Sequence, residues 1–146
     1  MSESPLFPEP SFEIGGKVDE FHVSLCLDGE DLDPEEITRL LGTTPDDSHK
    51  KGDQRYSWRT NLRWTSGHWS IDVRSGAPDE IGNAIADVLD RIAHPGALPD
   101  LAAHYKPTLR IGIFLEAENR GFDLSPSLVE RIGSYGLALD FDIYGQ

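Results

Sequence analysis

The chain has one cysteine, Cys26, in 146 residues. A single thiol excludes an internal disulfide and any zinc cage built from several cysteines. Long apolar runs are missing too, and none approaches the roughly 18–20 residues that span a bilayer. The stretch MSESPLFPEPSFE carries neither a basic leader region nor an apolar one, so a cytoplasmic location is expected. Catalytic signatures are absent: there is no GxSxG, no phosphate-binding GxxxxGK[ST], no GxGxxG, no HExxH and no calcium-loop spacing. Gly15-Gly16 is only a breaker pair. Positive charge is scarce, with 13 Lys and Arg against 26 Asp and Glu, a net charge of −13. Such a field repels phosphate backbones and steers basic partners inward. No nucleic acid, membrane, metal or cofactor is expected, and enzymatic activity has no motif behind it.

What positive charge there is lies in one place. Lys50 to Arg74 holds six basic and two acidic residues, net +4, and the remainder holds seven basic and 24 acidic, net −17. Within that segment, RYSWRTNLRWTSGHWSIDVR (Arg55–Arg74) contains all three tryptophans, Trp58, Trp64 and Trp69, and four of the nine arginines.

Hydrophobic periodicity sets out the elements. Residues 1–17 read as an irregular arm and 18–146 as a single domain. FHVSLCLD alternates, with Phe21, Val23, Leu25 and Leu27 on one face and His22, Ser24, Cys26 and Asp28 on the other. DLDPEEITRLLG reads as a helix with Asp33 as N-cap, Pro34 at its first position, Glu36 closing a capping box and Gly42 ending it. TTPDDSHKKGD reads as a polar loop. Strands are expected from Tyr56 to Thr60 and from His68 to Arg74, joined near Asn61 or at Ser66-Gly67. Pro78 is expected to open a helix carrying Ile81, Ile85, Val88, Leu89 and Ile92, and HPGALPDLAAHYKP to be a linker with a turn of helix. LRIGIFLEA and LALDFDIYG alternate as strands, with a helix from Ser125-Pro126 between them, carrying Leu128, Val129 and Ile132 and stopped at Gly133. DLDPEEITRL and DLSPSLVERI align without a gap, which suggests two strand–helix–strand halves; a common helix-start pattern is the plainer explanation of the likeness. Four alternating strands leave one sheet face polar, so the expected fold is α+β: a two-layer, ferredoxin-like sandwich with a mainly antiparallel sheet of four or five strands and helices on one face.

GEDLDPEEITRLLGTTPD, the Lys-Gly-Asp at 51–53, GHWSIDV and the terminal GLALDFDIYG resemble the bacterial DUF4279 family over roughly residues 20–145. The resemblance implies a small bacterial α+β domain. It carries no established active site, so no catalytic residue is transferred.

The candidate working surface is the first part of the Arg/Trp segment: Arg55, Tyr56, Trp58, Arg59, Arg63 and Trp64. Tryptophan, tyrosine and arginine dominate protein-binding hot spots, and the competing view is a hairpin whose indoles pack inward under arginine stems. Trp69 is in phase with Ile71 and Val73 and reads as core. By strand phase a second cluster, His22, Ser24, Cys26, His68, Ser70, Asp72, Arg110, Asp140 and Asp142, shares the polar sheet face; there Cys26 reads as a small buried hydrophobe rather than a nucleophile. The leading expectation is a non-enzymatic protein-binding module, an immunity or inhibitor protein against a basic toxin or nuclease. The alternative is an anionic-ligand-binding or enzymatic domain using Lys50–Trp64. A homodimer formed through the sheet or the hairpin is a third reading.

Overall fold

Strand β1 (Glu20–Gly29) is the middle of a five-stranded sheet, and its alternation decides which face is core. Phe21, Val23, Leu25 and Leu27 are buried on one side, each burial stabilising by about 1.5–3 kcal/mol. The computed structural model describes residues 20–74, 81–115 and 121–145; the expected arm over 1–17 and the expected helix start at Pro78 lie outside them.

The other elements follow as α1 (Pro34–Leu41), β2 (Asp47–His49), β3 (Gln54–Tyr56), β4 (Arg59–Arg63), β5 (Gly67–Arg74), α2 (Ile81–Asp90), α3 (Leu98–Tyr105), β6 (Thr108–Phe114), α4 (Pro126–Ser134) and β7 (Ala138–Tyr144). The sheet runs β2-β5-β1-β6-β7, and β3 and β4 form a separate hairpin. Pairings β2–β5, β5–β1 and β1–β6 are antiparallel, while β6–β7 is parallel. Together these make an α+β fold with a mixed sheet. Side chains from all four helices join the sheet's apolar face in one core cluster, from Ile37 and Leu41 of α1 to Leu128 and Ile132 of α4. Among the described residues no helix is long and apolar enough to cross a membrane.

Local chemistry sets the helix ends. Asp33 accepts the Glu35 N–H at 3.1 Å, Pro34 opens α1, and Gly42 closes it at φ 66° with its N–H on the Thr38 carbonyl. The reciprocal half of the expected capping box does not form among the described bonds; Glu36 lies instead 3.8 Å from Arg39. Ser125 caps α4 by accepting the Leu128 N–H at 3.2 Å. The two helix starts therefore share a cap, but their flanking strands differ. β1 and β5 pair antiparallel around α1, whereas β6 and β7 pair parallel around α4, as a strand–helix–strand crossover requires.

Five further expectations need correction. The turn of the Arg/Trp hairpin falls at Ser57-Trp58, inside the stretch expected to be one strand, because Tyr56 pairs with Arg59. Asp47–His49, expected to be loop, adds an edge strand to β5. The expected linker contains α3, whose Leu98 and Leu101 are buried. Val129 is exposed while its neighbours Leu128 and Ile132 are buried, since α4 turns only one stripe to the core; α4 also continues past Gly133 to Ser134. On β7, Leu139, Phe141 and Ile143 do share the core-side face, yet all three remain exposed at this edge of the sheet.

Candidate functional site

The hairpin is a finger on the β2 side of the sheet. Its base is clamped by backbone bonds from Gly52 N–H to the Trp64 carbonyl (2.8 Å) and from Trp64 N–H to the Asp53 carbonyl (2.9 Å). Asp53 also accepts the Lys50 N–H at 2.8 Å, and Arg63 Nη1 donates to the Gly52 carbonyl at 3.0 Å. A two-residue turn then puts Trp58 at the tip, 72% exposed, with the Tyr56 ring stacked 5.1 Å away and the Arg59 guanidinium 5.6 Å over the indole.

Register slips between Gln54 and Tyr56, and the Arg55 guanidinium lies 5.5 Å from the Tyr56 ring and 4.6 Å from the Trp64 ring. Trp64 stacks in turn on His49 at 3.7 Å, and His49 on His68 at 5.5 Å. A continuous file of rings and guanidinium groups thus runs from the finger's tip to the polar face of the sheet. This is what the cluster of arginines and indoles builds. Trp69 stands apart from it: fully buried, its Nε1–H donates to Thr38 Oγ1 at 3.0 Å.

Of the six residues singled out from sequence, Tyr56, Trp58 and Arg59 come together at the tip, and Arg55 and Trp64 form the base of the file. Arg63 points back to the loop carbonyl. The Lys50–Trp64 cations do not converge on one point, since Lys51 pairs with Glu30 at 3.0 Å and Arg55 and Arg59 lie over rings.

The polar sheet face is assembled as strand phase predicts. His22, Ser24, Cys26, His68, Ser70, Asp72, Arg110, Asp140 and Asp142 border a concavity of about 560 Å³, joined by Asp47, Phe114 and Tyr144. Residue order does not reveal Asp47 at this site, because three residues of polar sequence carry no periodicity to mark β2 as a strand. His22 Nε2 lies 3.7 Å from Asp72, and Arg110 Nε lies 3.4 Å from Asp140. Asp28, one step along the same alternation, meets His68 Nδ1 at 2.6 Å, and His68 Nε2 meets Ser70 Oγ at 3.1 Å.

These contacts move the titrations. The Asp28 hydrogen bond above all holds the His68 pKa above the ordinary imidazole value, against partial burial. Burial alone would raise the Asp28 carboxyl, but the His68 hydrogen bond and charge outweigh it and leave the pKa low. Burial, then the His68 charge, pushes His49 down. Burial pushes the Cys26 thiol up, as expected of an unreactive side chain.

Fold and site define an α+β domain with a mixed sheet, one polar sheet face and an aromatic, arginine-bearing finger at its edge. Residues 19–146 match the family described as Domain of unknown function (DUF4279), and the chain belongs to that family. Neither a curated protein nor a solved structure matches it.

Proposed function

We propose that this domain is a protein-binding module whose contact element is the hairpin 54–63. The observation that carries the reading is Trp58, left 72% exposed at the tip while Trp69 of the same chain is fully buried. Leaving an indole in water forgoes about 2–3 kcal/mol of burial, and a partner that covers it recovers that free energy. Tyr56 and Arg59 flank it, the residue types that anchor hot spots. The finger itself suits a patch with an apolar centre and an acidic rim. The acidic remainder, net −17, suits a partner that is basic overall. An immunity or inhibitor role against a basic toxin or nuclease rests on that charge and on steering. A cytoplasmic setting and a bacterial source belong to the same proposal. The ferredoxin-like description of the fold belongs to it too. Layering supports that description, while the parallel β6–β7 pair makes the topology a variant.

The test is affinity purification from native lysate with three baits: wild type, W58A/Y56A, and V129A as a control at an exposed site off the finger. A partner retained by wild type and V129A but lost from the double variant supports the reading. Binding of the purified partner should then weaken by roughly 30-fold or more in W58A, as for a hot-spot residue. Equal retention by all three baits, or no specific protein with any, removes the finger from the interface.

A further inference from the structure

Three side chains on the open sheet face stand in hydrogen-bonding order. Asp28 Oδ1 is 2.6 Å from His68 Nδ1, and His68 Nε2 is 3.1 Å from Ser70 Oγ. Backbone register puts them there: His68 is directly opposite Asp28, and Ser70, two residues on, points to the same face. A carboxylate on Nδ1 selects the tautomer whose Nε2 lone pair accepts the hydroxyl proton, which is how a serine is made nucleophilic. Ser70 is only 4% exposed, and it borders the 560 Å³ concavity, whose lining also includes Arg110. The thiol opposite, Cys26, is turned to Ser24 Oγ at 3.4 Å and is held protonated by burial.

We propose that Asp28, His68 and Ser70 form a nucleophilic centre that transfers acyl groups from activated carboxylic esters to water. Ser70 Oγ attacks the carbonyl carbon and its proton passes to His68 Nε2. Collapse of the tetrahedral intermediate breaks the ester C–O bond, and the departing alcohol takes that proton. Water repeats the cycle on acyl-Ser70, releasing the acid and restoring the hydroxyl. No co-reactant other than water enters. β5 is paired on both sides around Ser70, and the Asp72 N–H two residues on is taken by the Asp46 carboxylate at 2.7 Å, so these backbone donors are engaged. The developing oxyanion must therefore meet a side chain, and among the described residues the cation bordering the concavity is Arg110, two strands away on β6 and paired with Asp140 at 3.4 Å. The groups facing His68 are Asp28 from β1, Asp47 (3.9 Å from Nε2) and His49 from β2, and Arg110 from β6. The two carboxylates favour imidazolium, so the rate rises with pH through the His68 titration. The proposal does not rest on the finger binding a partner; the finger reaches His68 only through Trp64 and His49.

The experiment combines fluorophosphonate labelling of the full chain, mapped by peptide mass spectrometry, with hydrolysis of p-nitrophenyl butyrate from pH 5 to 9. Expected are label on Ser70 and hydrolysis lost in S70A. H68Q should slow both reactions by roughly 100-fold or more, and R110A should slow hydrolysis by a comparable factor. Asp28 acts as a positioning residue through His68, so D28N should move the midpoint of the pH–rate profile to lower pH. Thermal melts confirm that each variant is folded; D28N, altered at an exposed side chain, keeps the test open if S70A is not. Absence of label on the folded wild-type chain, label at another residue, wild-type hydrolysis by folded S70A, or an unmoved D28N profile would overturn the proposal.

Discussion

His49 lies flat against Trp64, ring centroids 3.7 Å apart and planes within 7° of parallel. One residue belongs to β2 and the other follows β4, so this contact joins the finger to the sheet. It also shields the imidazole partly from water, and its Nδ1 finds no hydrogen-bond partner among the described residues. Histidine C–H signals followed by NMR over pH 4–9 should therefore separate. His49 should titrate below about 6.5 and His68 above it. W64A, by re-exposing the ring, should move His49 upward, and H68Q should do the same by removing a neighbouring charge. Coincident titration of the two histidines would remove this account.

The tryptophans should divide sharply in an unfolding experiment. Trp69 is fully buried against α1, and W69A should lower stability by about 3–5 kcal/mol, the usual cost of a large core cavity. Trp58 packs on nothing deeper than Tyr56, and W58A should stay within about 0.5 kcal/mol of wild type. Urea midpoints at unchanged slope measure both. A W58A loss comparable to W69A would mean that the tip indole serves the fold rather than a partner.

Much of this division was legible in residue order. Trp69 alternates with Ile71 and Val73, and β5 buries Trp69 and Ile71. Likewise strand phase alone puts His22, Ser24, Cys26, His68 and Ser70 on one face. The finger is not legible as such, because the turn at Ser57-Trp58 carries only the weak turn former Ser and none of Gly, Asn, Asp or Pro. β2 was invisible for the converse reason: an edge strand of three polar residues has no apolar face to betray it. The Asp28–His68 pairing depends on the register between β1 and β5, and a shift of one residue would separate the two side chains. Alternation names the face a residue takes, but the neighbour across the ladder is set by the whole sheet.

Gly67 tests that register from the other side. A Cβ there would come within 2.5 Å of the Leu32 carbonyl oxygen and 3.0 Å of its Cβ, both in the short loop before α1. Backbone cannot yield as a flexible side-chain end does. G67A should therefore cost about 1–3 kcal/mol through overpacking. Gly52, whose Cβ would meet nothing within 4 Å, is the comparison. Its φ of 93° makes G52A a pure backbone-strain variant at an exposed loop. Thermal melts of the two variants separate crowding from strain. An unaltered melt for G67A would mean that the β1–α1 loop has room to move away from β5.

The Asp28–His68 pair should leave a bell-shaped imprint on stability. His68 has a folded-state pKa above its unfolded value, so its contribution is complete below about pH 6.5 and is lost as pH rises through the folded value. Asp28 has a folded-state pKa below its unfolded value, so its contribution is present above about pH 4 and is lost as pH falls through the folded value. Both are complete between about pH 4 and 6.5, where an aspartate faces an imidazolium at 2.6 Å. D28N replaces the charged acceptor by a neutral one and removes both dependences. The difference in unfolding free energy between wild type and D28N, measured by urea titration from pH 3 to 9, should therefore peak in that window. It should decline on both flanks, the alkaline one following the His68 titration seen by NMR. Because Asp28 is half in water, solvent screening keeps the peak low, and it is the shape that identifies the pair. A difference that is flat across the range, or that grows above pH 8, would show that the two side chains titrate independently in the folded chain.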